Sequence, residues 1–518
     1  MVVAALAASA FFVLLLPGLT GAYGLFIDEL YYLACSSRLD FGYVDHPPLA
    51  PLVLRASLLV SGDSVALALR VPAALAGALT VLLTGLMARR FGAGALGQGI
   101  AAGALLSAPG VQVMFGFFSM NAFEVLLWTV CCFILVEMAL RDEPRLWLAF
   151  GVAAGVGLEN KHTMVLLASG LAVGVLLTRE RRRLGSRWPW IGAGIAALIF
   201  LPNLLWQVEH GWPTLEFYRN ADLYKNVRTP PHEVFLQQVL FLNPGTLPVW
   251  IAGAVFLLGT SRGARFRHIG WTFAALLALV LVAQKSRPDR IIGIYPVLFA
   301  AGGAMWDGWL RPSAPTRAAL PAAVVRGARF ALAVWLAAWA VALAPVGMPV
   351  LPPERLARYV AALGVVPQIE QGAGKTAELP QWFADRFGWE RLAEDVRQVA
   401  VTRLTPEERE EGRAVIFAPS YGQAGALELY GRGELPPVYS THNNYYLWGP
   451  PREPFEAAIV IGDDERHLGE LFEHVELAAV HDCDYCMRWR DEMPIWVVRR
   501  VRPEVEIDAV WRELKHFE

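Results

Sequence analysis

Charge is what this 518-residue sequence holds least of: Asp, Glu, Lys and Arg make up 18% of it, against about 25% in soluble domains. Cysteine is rarer still, five in all, which excludes a small scaffold built on disulfides. No internal repeat is visible, and no G-x-G-x-x-G or Walker loop opens any of its helical patterns. Apolar residues fill the space: 55% are hydrophobic and the mean hydropathy is +0.40. That composition excludes a single globular enzyme and a disordered chain.

The net charge of −2 conceals two unlike parts. Up to residue 345 there are 26 Lys and Arg against 17 Asp and Glu; after it the balance is 19 against 30. A basic apolar half is joined to an acidic polar one, a pattern that argues against a nucleic-acid partner. The expected fold class is an α-helical polytopic membrane protein followed by a soluble α/β domain, with domains at residues 1–345 and 346–518.

A span needs roughly 20 apolar residues to cross about 30 Å of hydrocarbon. About eleven such runs are read, at 2–22, 66–88, 95–112, 118–140, 146–160, 163–178, 188–206, 233–258, 269–284, 291–310 and 328–345. Met1 to Ala22 lacks a basic n-region, so it is read as an uncleaved first span rather than a signal peptide. Arg-rich loops (Arg89 and Arg90, Arg141 and Arg145, Arg179 to Arg187, Arg262 to Arg267, Arg311 to Arg329) alternate with acidic ones, which puts the Arg face in the cytoplasm. An odd number of spans then leaves the acidic tail outside. The expected location is the bacterial inner membrane, with the tail in the periplasm.

The membrane half has only three Lys (Lys161, Lys225, Lys285), and all fall at outer span ends. So do His46, His162, His210 and His232. Inner Arg residues are explained as topology signals; outer Lys, His and carboxylates have no such role and point to a polar site at the outer boundary. After the first span comes Phe26-Ile27-Asp28-Glu29-Leu30-Tyr31-Tyr32. A carboxylate at that boundary gains basicity from low dielectric, as a general base requires. Asp45-His46-Pro47-Pro48 follows, the Pro pair fixing the backbone. Glu124 stands near the start of a long apolar helix. Lys161 and His162, in Leu158-Glu159-Asn160-Lys161-His162, suit a phosphate, as do Lys285 and Arg287 in Lys285-Ser286-Arg287-Pro288-Asp289-Arg290. Asn243-Pro244-Gly245 predicts a kink. Cys131 and Cys132 read as packing residues, and Cys483-x-x-Cys486 permits a local disulfide. A divalent metal held by Asp45, Glu124 and His46 has only scattered ligands to support it.

Taken together, Asp28-Glu29, Asp45-His46-Pro47-Pro48-Leu49, Met120-Asn121-Ala122-Phe123-Glu124, Leu158-Glu159-Asn160-Lys161-His162, Asn243-Pro244 and Ile294-Tyr295-Pro296 resemble the family 39 glycosyltransferases. These are bacterial relatives of protein O-mannosyltransferases and of the lipid A aminoarabinose transferase. In the tail, Phe383 to Trp389, Tyr421-Gly422-Gln423-Ala424-Gly425 and His442-Asn443-Asn444 resemble one bacterial subgroup. The resemblance implies a GT-C fold and a polyprenyl-phosphate-linked sugar donor. It implies transfer to a lipid, glycan or protein hydroxyl, with Asp28 serving that hydroxyl and Asp45 as the second acidic residue. Relatives often carry Lys where His46 stands, and Lys-Tyr-Tyr in place of Lys285-Ser286-Arg287. Glu29 stands as a third catalytic candidate, with His46, Glu124, Lys161, His162, Lys285 and Arg287 on the substrate side. The rival class, a transporter or flippase of a lipid-linked saccharide, would want paired repeats and ionisable groups at the midplane.

Overall fold

Long apolar runs in this chain have one way to satisfy their backbone in hydrocarbon, which is to become helices. The computed structural model describes residues 2–20, 23–226, 228–284, 287–310, 322–364, 377–410, 413–452 and 454–518. Among them, seven helices are long and apolar enough to cross a membrane: Val2–Leu19, Val65–Arg90, Met120–Arg141, Trp188–Glu209, Ala264–Ala283, Pro288–Trp309 and Ala323–Gly347. The count rises to nine if two bent pairs are each one span. The chain is an integral membrane protein.

The difference from the expected eleven has a physical cause. Leu146–Leu158 and Met164–Leu176 are helices of 13 residues each, which at 1.5 Å per residue reach about 20 Å. The two bent pairs break where the sequence removes a backbone donor. Ala95–Leu106 and Pro109–Gly116 meet at 67°, and Pro231–Phe241 and Pro244–Gly259 at 90°. The second break is the kink expected at Asn243-Pro244-Gly245. There Asn243 takes a positive φ of 72° and its side chain accepts from the Gly245 N–H at 2.9 Å.

The chain divides into two compact units. The first comprises residues up to Gly21, His46–Trp206 and Val227–Leu351. Its helices cross closely where side chains are missing. A Cβ at Gly253 would collide with the Leu298 carbonyl, and one at Gly302 with the Val249 carbonyl.

The second unit comprises Ala22–Asp45, Gln207–Asn226 and Pro352–Glu518. Its centre is a five-stranded sheet in the order β2-β1-β3-β5-β4. The strands are β1 (Ala414–Phe417), β2 (Val438–Tyr439), β3 (Ala457–Ile461), β4 (Phe472–His481) and β5 (Met493–Val501). Strands β2 and β3 flank β1 in parallel, and β5 pairs antiparallel with β3 and β4. Strands β1 and β3 are apolar throughout because both faces are covered. Ala414, Ile416, Ile459 and Ile495 enter one core with Tyr31, Cys35, Leu392 and Val396. Val415, Ala458, Val460 and Trp496 enter another. In the tail the apolar runs at 414–418, 457–461 and 495–499 read from sequence as short buried strands, and β1, β3 and β5 form on them. The helical pattern at about 465–474 predicts a helix there; the helix formed ends at Leu471, and the chain continues as β4.

Candidate active site

The helix Ile27–Ser37 belongs to the second unit and packs on one face of the sheet. The Ile27 N–H donates to the Asp385 carbonyl at 3.1 Å. Arg490, also buried, holds that segment by donating to the Ala384 carbonyl at 2.8 Å and to Asp385 Oδ1 at 3.2 Å. Glu29, fully buried, turns back on its own helix start and accepts from the Phe26 N–H at 2.8 Å. This is the carboxylate half of a capping box. Glu29 therefore fixes the turn that presents Asp28, while Asp28 itself is half-buried.

A second helix, Tyr421–Tyr430, lies against the first. Its Gly422 and Gly425, three apart and so on one side, make the approach possible: a Cβ on Gly422 would stand 2.5 Å from Ile27, and one on Gly425 2.8 Å from the Leu30 carbonyl. Ser420 caps the helix, accepting from the Gly422 N–H at 3.2 Å. The Tyr421 hydroxyl then reaches Asp28 Oδ1 at 3.1 Å. Its ring stacks on Tyr31 with centroids 4.6 Å apart, and the Tyr31 hydroxyl donates to Asp45 Oδ1 at 3.0 Å. The same Tyr31 oxygen accepts from the Asn444 N–H at 3.2 Å, while Asn444 Oδ1 accepts from the Val44 N–H at 2.9 Å. Burial, then the neighbouring Asp45, pushes the Tyr31 phenol well above its ordinary range, so it remains an O–H donor. Asp28 and Asp45 are thus brought together through two stacked tyrosines.

The polar groups of the first unit gather around the turn between Leu146–Leu158 and Met164–Leu176. Lys161 Nζ donates to Asn121 Oδ1 at 2.6 Å and to Glu124 Oε2 at 2.7 Å. Thr163 donates to the other oxygen of Glu124, and Asn160 ties the turn to the Met120 carbonyl at 2.8 Å. Ser119 caps the helix carrying Glu124, accepting from the Asn121 N–H at 3.2 Å. His162 Nε2 lies 3.2 Å from Asn203 Oδ1. Burial lowers His162's basicity, the bond to Asn203 opposes this, and nearby His46 adds to the lowering. His46 is fully buried, with its Nδ1 proton on the Pro47 carbonyl at 2.9 Å. Glu159 is half-buried, and burial pushes its carboxyl up to about 7 against the pull of the Asn203 backbone. Arg287 forks onto Asp289, Nε to Oδ1 at 3.1 Å and an Nη to Oδ2 at 2.8 Å.

Lys285, expected near phosphate, lies outside the described residues, as does Ser286. Among the described residues no group of three or more His, Cys, Asp or Glu is arranged to hold a metal ion, and no step below runs through one. The Cys483 and Cys486 sulfurs are joined to each other. Tyr421 and Asn444 were not among the expected site residues. The signal available for them was the small-residue face Gly422-x-x-Gly425 beside Tyr421.

Residues 45–206 match the family described as dolichyl-phosphate-mannose-protein mannosyltransferase. A curated relative, the lipid A galacturonosyltransferase RgtD of Rhizobium johnstonii, is 30% identical over 187 residues, 36% of this chain and 39% of that protein. The chain thus aligns with well under half the length of that relative. In fold, the chain is similar to ArnT from Cupriavidus metallidurans bound to undecaprenyl phosphate: TM-score 0.59, 17% identity, 97% of this chain and 98% of that one. It is also similar to the mycobacterial arabinofuranosyltransferase AftD, with TM-score 0.52, 14% identity, 96% of this chain and 40% of that one. Residues 45–206 are thus similar in sequence to the dolichyl-phosphate-mannose-protein mannosyltransferase family, and the chain has an ArnT-like fold.

Proposed function

We propose that the protein is an integral membrane glycosyltransferase. It moves a sugar from a polyprenyl-phosphate donor to an acceptor hydroxyl on the periplasmic side of a bacterial inner membrane, with residues 346–518 on that side. A long prenyl chain stays in the bilayer, so the site must open at the lipid boundary. The reaction is a single inverting displacement. The acceptor oxygen bonds to the anomeric carbon as the bond from that carbon to the phosphate oxygen breaks. The hydroxyl proton passes to Asp28, and polyprenyl phosphate leaves with the bonding pair.

The carrying observation is that Asp28, at the start of its helix, accepts from the Tyr421 phenol, a contact that orients a base. Asp45 stands with it as the second carboxylate, and Glu29 holds the turn. The phosphate leaving group needs donors and positive charge more than a general acid. Lys161, His162, Arg287 and Lys285 are assigned to that side. Glu124 fixes Lys161, and His46 braces the Pro47-Pro48 turn. The lipid A galacturonosyltransferase and mannosyltransferase relatives support the donor class, and the acceptor is a lipid, glycan or protein hydroxyl.

The test is to incubate purified full-length protein with radiolabelled prenyl-phosphate sugars (galacturonosyl, aminoarabinosyl, mannosyl) and to follow consumption of each. Asp28→Asn should reduce transfer by about 10²–10⁴-fold while donor binding persists. A labelled glycosyl-enzyme trapped on Asp28 contradicts the single displacement. Translocation of a lipid-linked saccharide without transfer would return the protein to the flippase class.

A further inference from the structure

A carboxylate on the first turn of a helix can rotate about two side-chain bonds, and a base serves only the hydroxyl it faces. In this chain that rotation is restricted by a residue 393 positions away in sequence. We propose that Tyr421 is a positioning residue for Asp28, and that the stacked pair Tyr31 and Tyr421 sets Asp28 and Asp45 as one assembly. The C-terminal segment thereby becomes part of the catalytic apparatus rather than a cover over it. The inference rests on the reading of Asp28 as the base.

Three independent features point the same way. The Tyr421 ring is held on two sides, by Tyr31 with centroids 4.6 Å apart and by His442 at 4.7 Å. His442 is anchored in turn: its Nε2 stands 3.2 Å from the Glu518 carbonyl, and its ring lies 4.9 Å from His516. Burial foremost, then Lys225 and His516, pushes its basicity down to about 3, so the ring against Tyr421 is neutral. The helix carrying Tyr421 touches the helix carrying Asp28 through Gly422 and Gly425, a spacing larger residues would not permit. Finally, a phenol meets one oxygen of each carboxylate: Tyr421 on Asp28 Oδ1 and Tyr31 on Asp45 Oδ1. A phenol in contact with one carboxylate oxygen restricts rotation of the group about its side-chain bonds. Since both rings stack, the orientation of one carboxylate is coupled to that of the other.

The experiment compares wild type, Tyr421→Phe and Asp28→Asn in the full-length protein, with the donor consumed by wild type. Tyr421→Phe removes one oxygen and keeps the stacked ring. The expected result is a kcat lowered by about ten- to a hundredfold, the cost of a misdirected reacting group. KM for donor and acceptor and the thermal midpoint should remain at wild-type values. Tyr31→Phe, acting through Asp45, should show the same split with a smaller fall. An unchanged kcat in Tyr421→Phe overturns the inference, as does a fall matched by a raised KM or a lowered thermal midpoint, which would mark a merely structural contact. If Asp28→Asn retains full transfer, it is the reading of Asp28 as base that fails. If Asp28→Asn is inactive and Tyr421→Phe is wild type, only the positioning role fails.

Discussion

The two units differ in the contacts described for their carboxylates, although the second also holds a buried ion pair, Arg490 with Asp385 at 3.2 Å. In the first, cations and carboxylates answer each other directly: Lys161 with Glu124 at 2.7 Å, Arg287 with Asp289 at 2.8 Å, Arg141 with Glu137 at 2.7 Å. In the second, the contacts described for Asp28 and Asp45 come from phenols at 3.1 and 3.0 Å. An ion pair in an apolar bundle relieves the cost of holding both charges but lowers the basicity of its carboxylate. A neutral donor orients a carboxylate and lowers its basicity less. The first arrangement keeps polar groups tolerable among apolar helices; the second orients a carboxylate.

The largest effect should come from breaking a pair in the first unit. Glu124 is buried, and removing it as Glu124→Ala leaves Lys161 without its counter-charge. The expected loss is about 3–5 kcal/mol of stability, read as a lowered thermal midpoint in detergent. The double variant Lys161→Met with Glu124→Leu should recover most of that loss, because no charge is then stranded. Equal losses in single and double variants would mean that packing, not charge, sets the cost. In the second unit the matching change should be mild. Asp45→Asn still offers an amide oxygen to the Tyr31 phenol, so its stability cost should be about 1 kcal/mol, near the worth of one neutral hydrogen bond. Its transfer activity should fall far more than its stability. A cost as large as that of Glu124→Ala would erase the distinction between these two carboxylates.

How much of this was legible beforehand follows from sequence distance. Asp28, Asp45, Glu124, Lys161 and His162 stood out because ionisable groups at outer span ends are conspicuous in so apolar a chain. That Lys161 meets Glu124 was not legible, since pairing across 37 residues depends on how two helices pack. The same holds for Tyr421 and Asn444, separated from their partners by 393 and 413 residues. The capping contact of Glu29 was not legible for a local reason: a carboxylate three residues past a helix start can turn back to cap it, but its neighbour Asp28 carried the same sequence signal. Strand β4 was missed because Phe472-Glu473-His474-Val475-Glu476 alternates around polar residues on a half-exposed strand, which a helical pattern also accommodates. The span count differs from the number of long apolar helices because composition marks an apolar run without revealing that its helix stops at 13 residues.

The smallest effect concerns Glu159, which lies in the first unit beside the paired groups and has Oε1 buried without a hydrogen-bond partner among the described residues. Its carboxyl, ordinarily near 4.5, is pushed up to about 7 by burial. The folded chain therefore holds a proton there that the unfolded chain has released. Stability contributed by this group is fully present below about 4.5 and declines as pH rises through about 7. Glu159→Gln removes the titration and keeps the shape. The variant should melt above wild type at about pH 8, and the gap should close as pH falls toward about 5. The gain should be modest, because a half-exposed group is partly solvated in either state. Were Glu159 paired like Glu124 or Asp289, the sign would reverse, with wild type the more stable protein at high pH. The direction of the change thus reports whether charge cancellation in the first unit extends to this carboxylate or stops short of it.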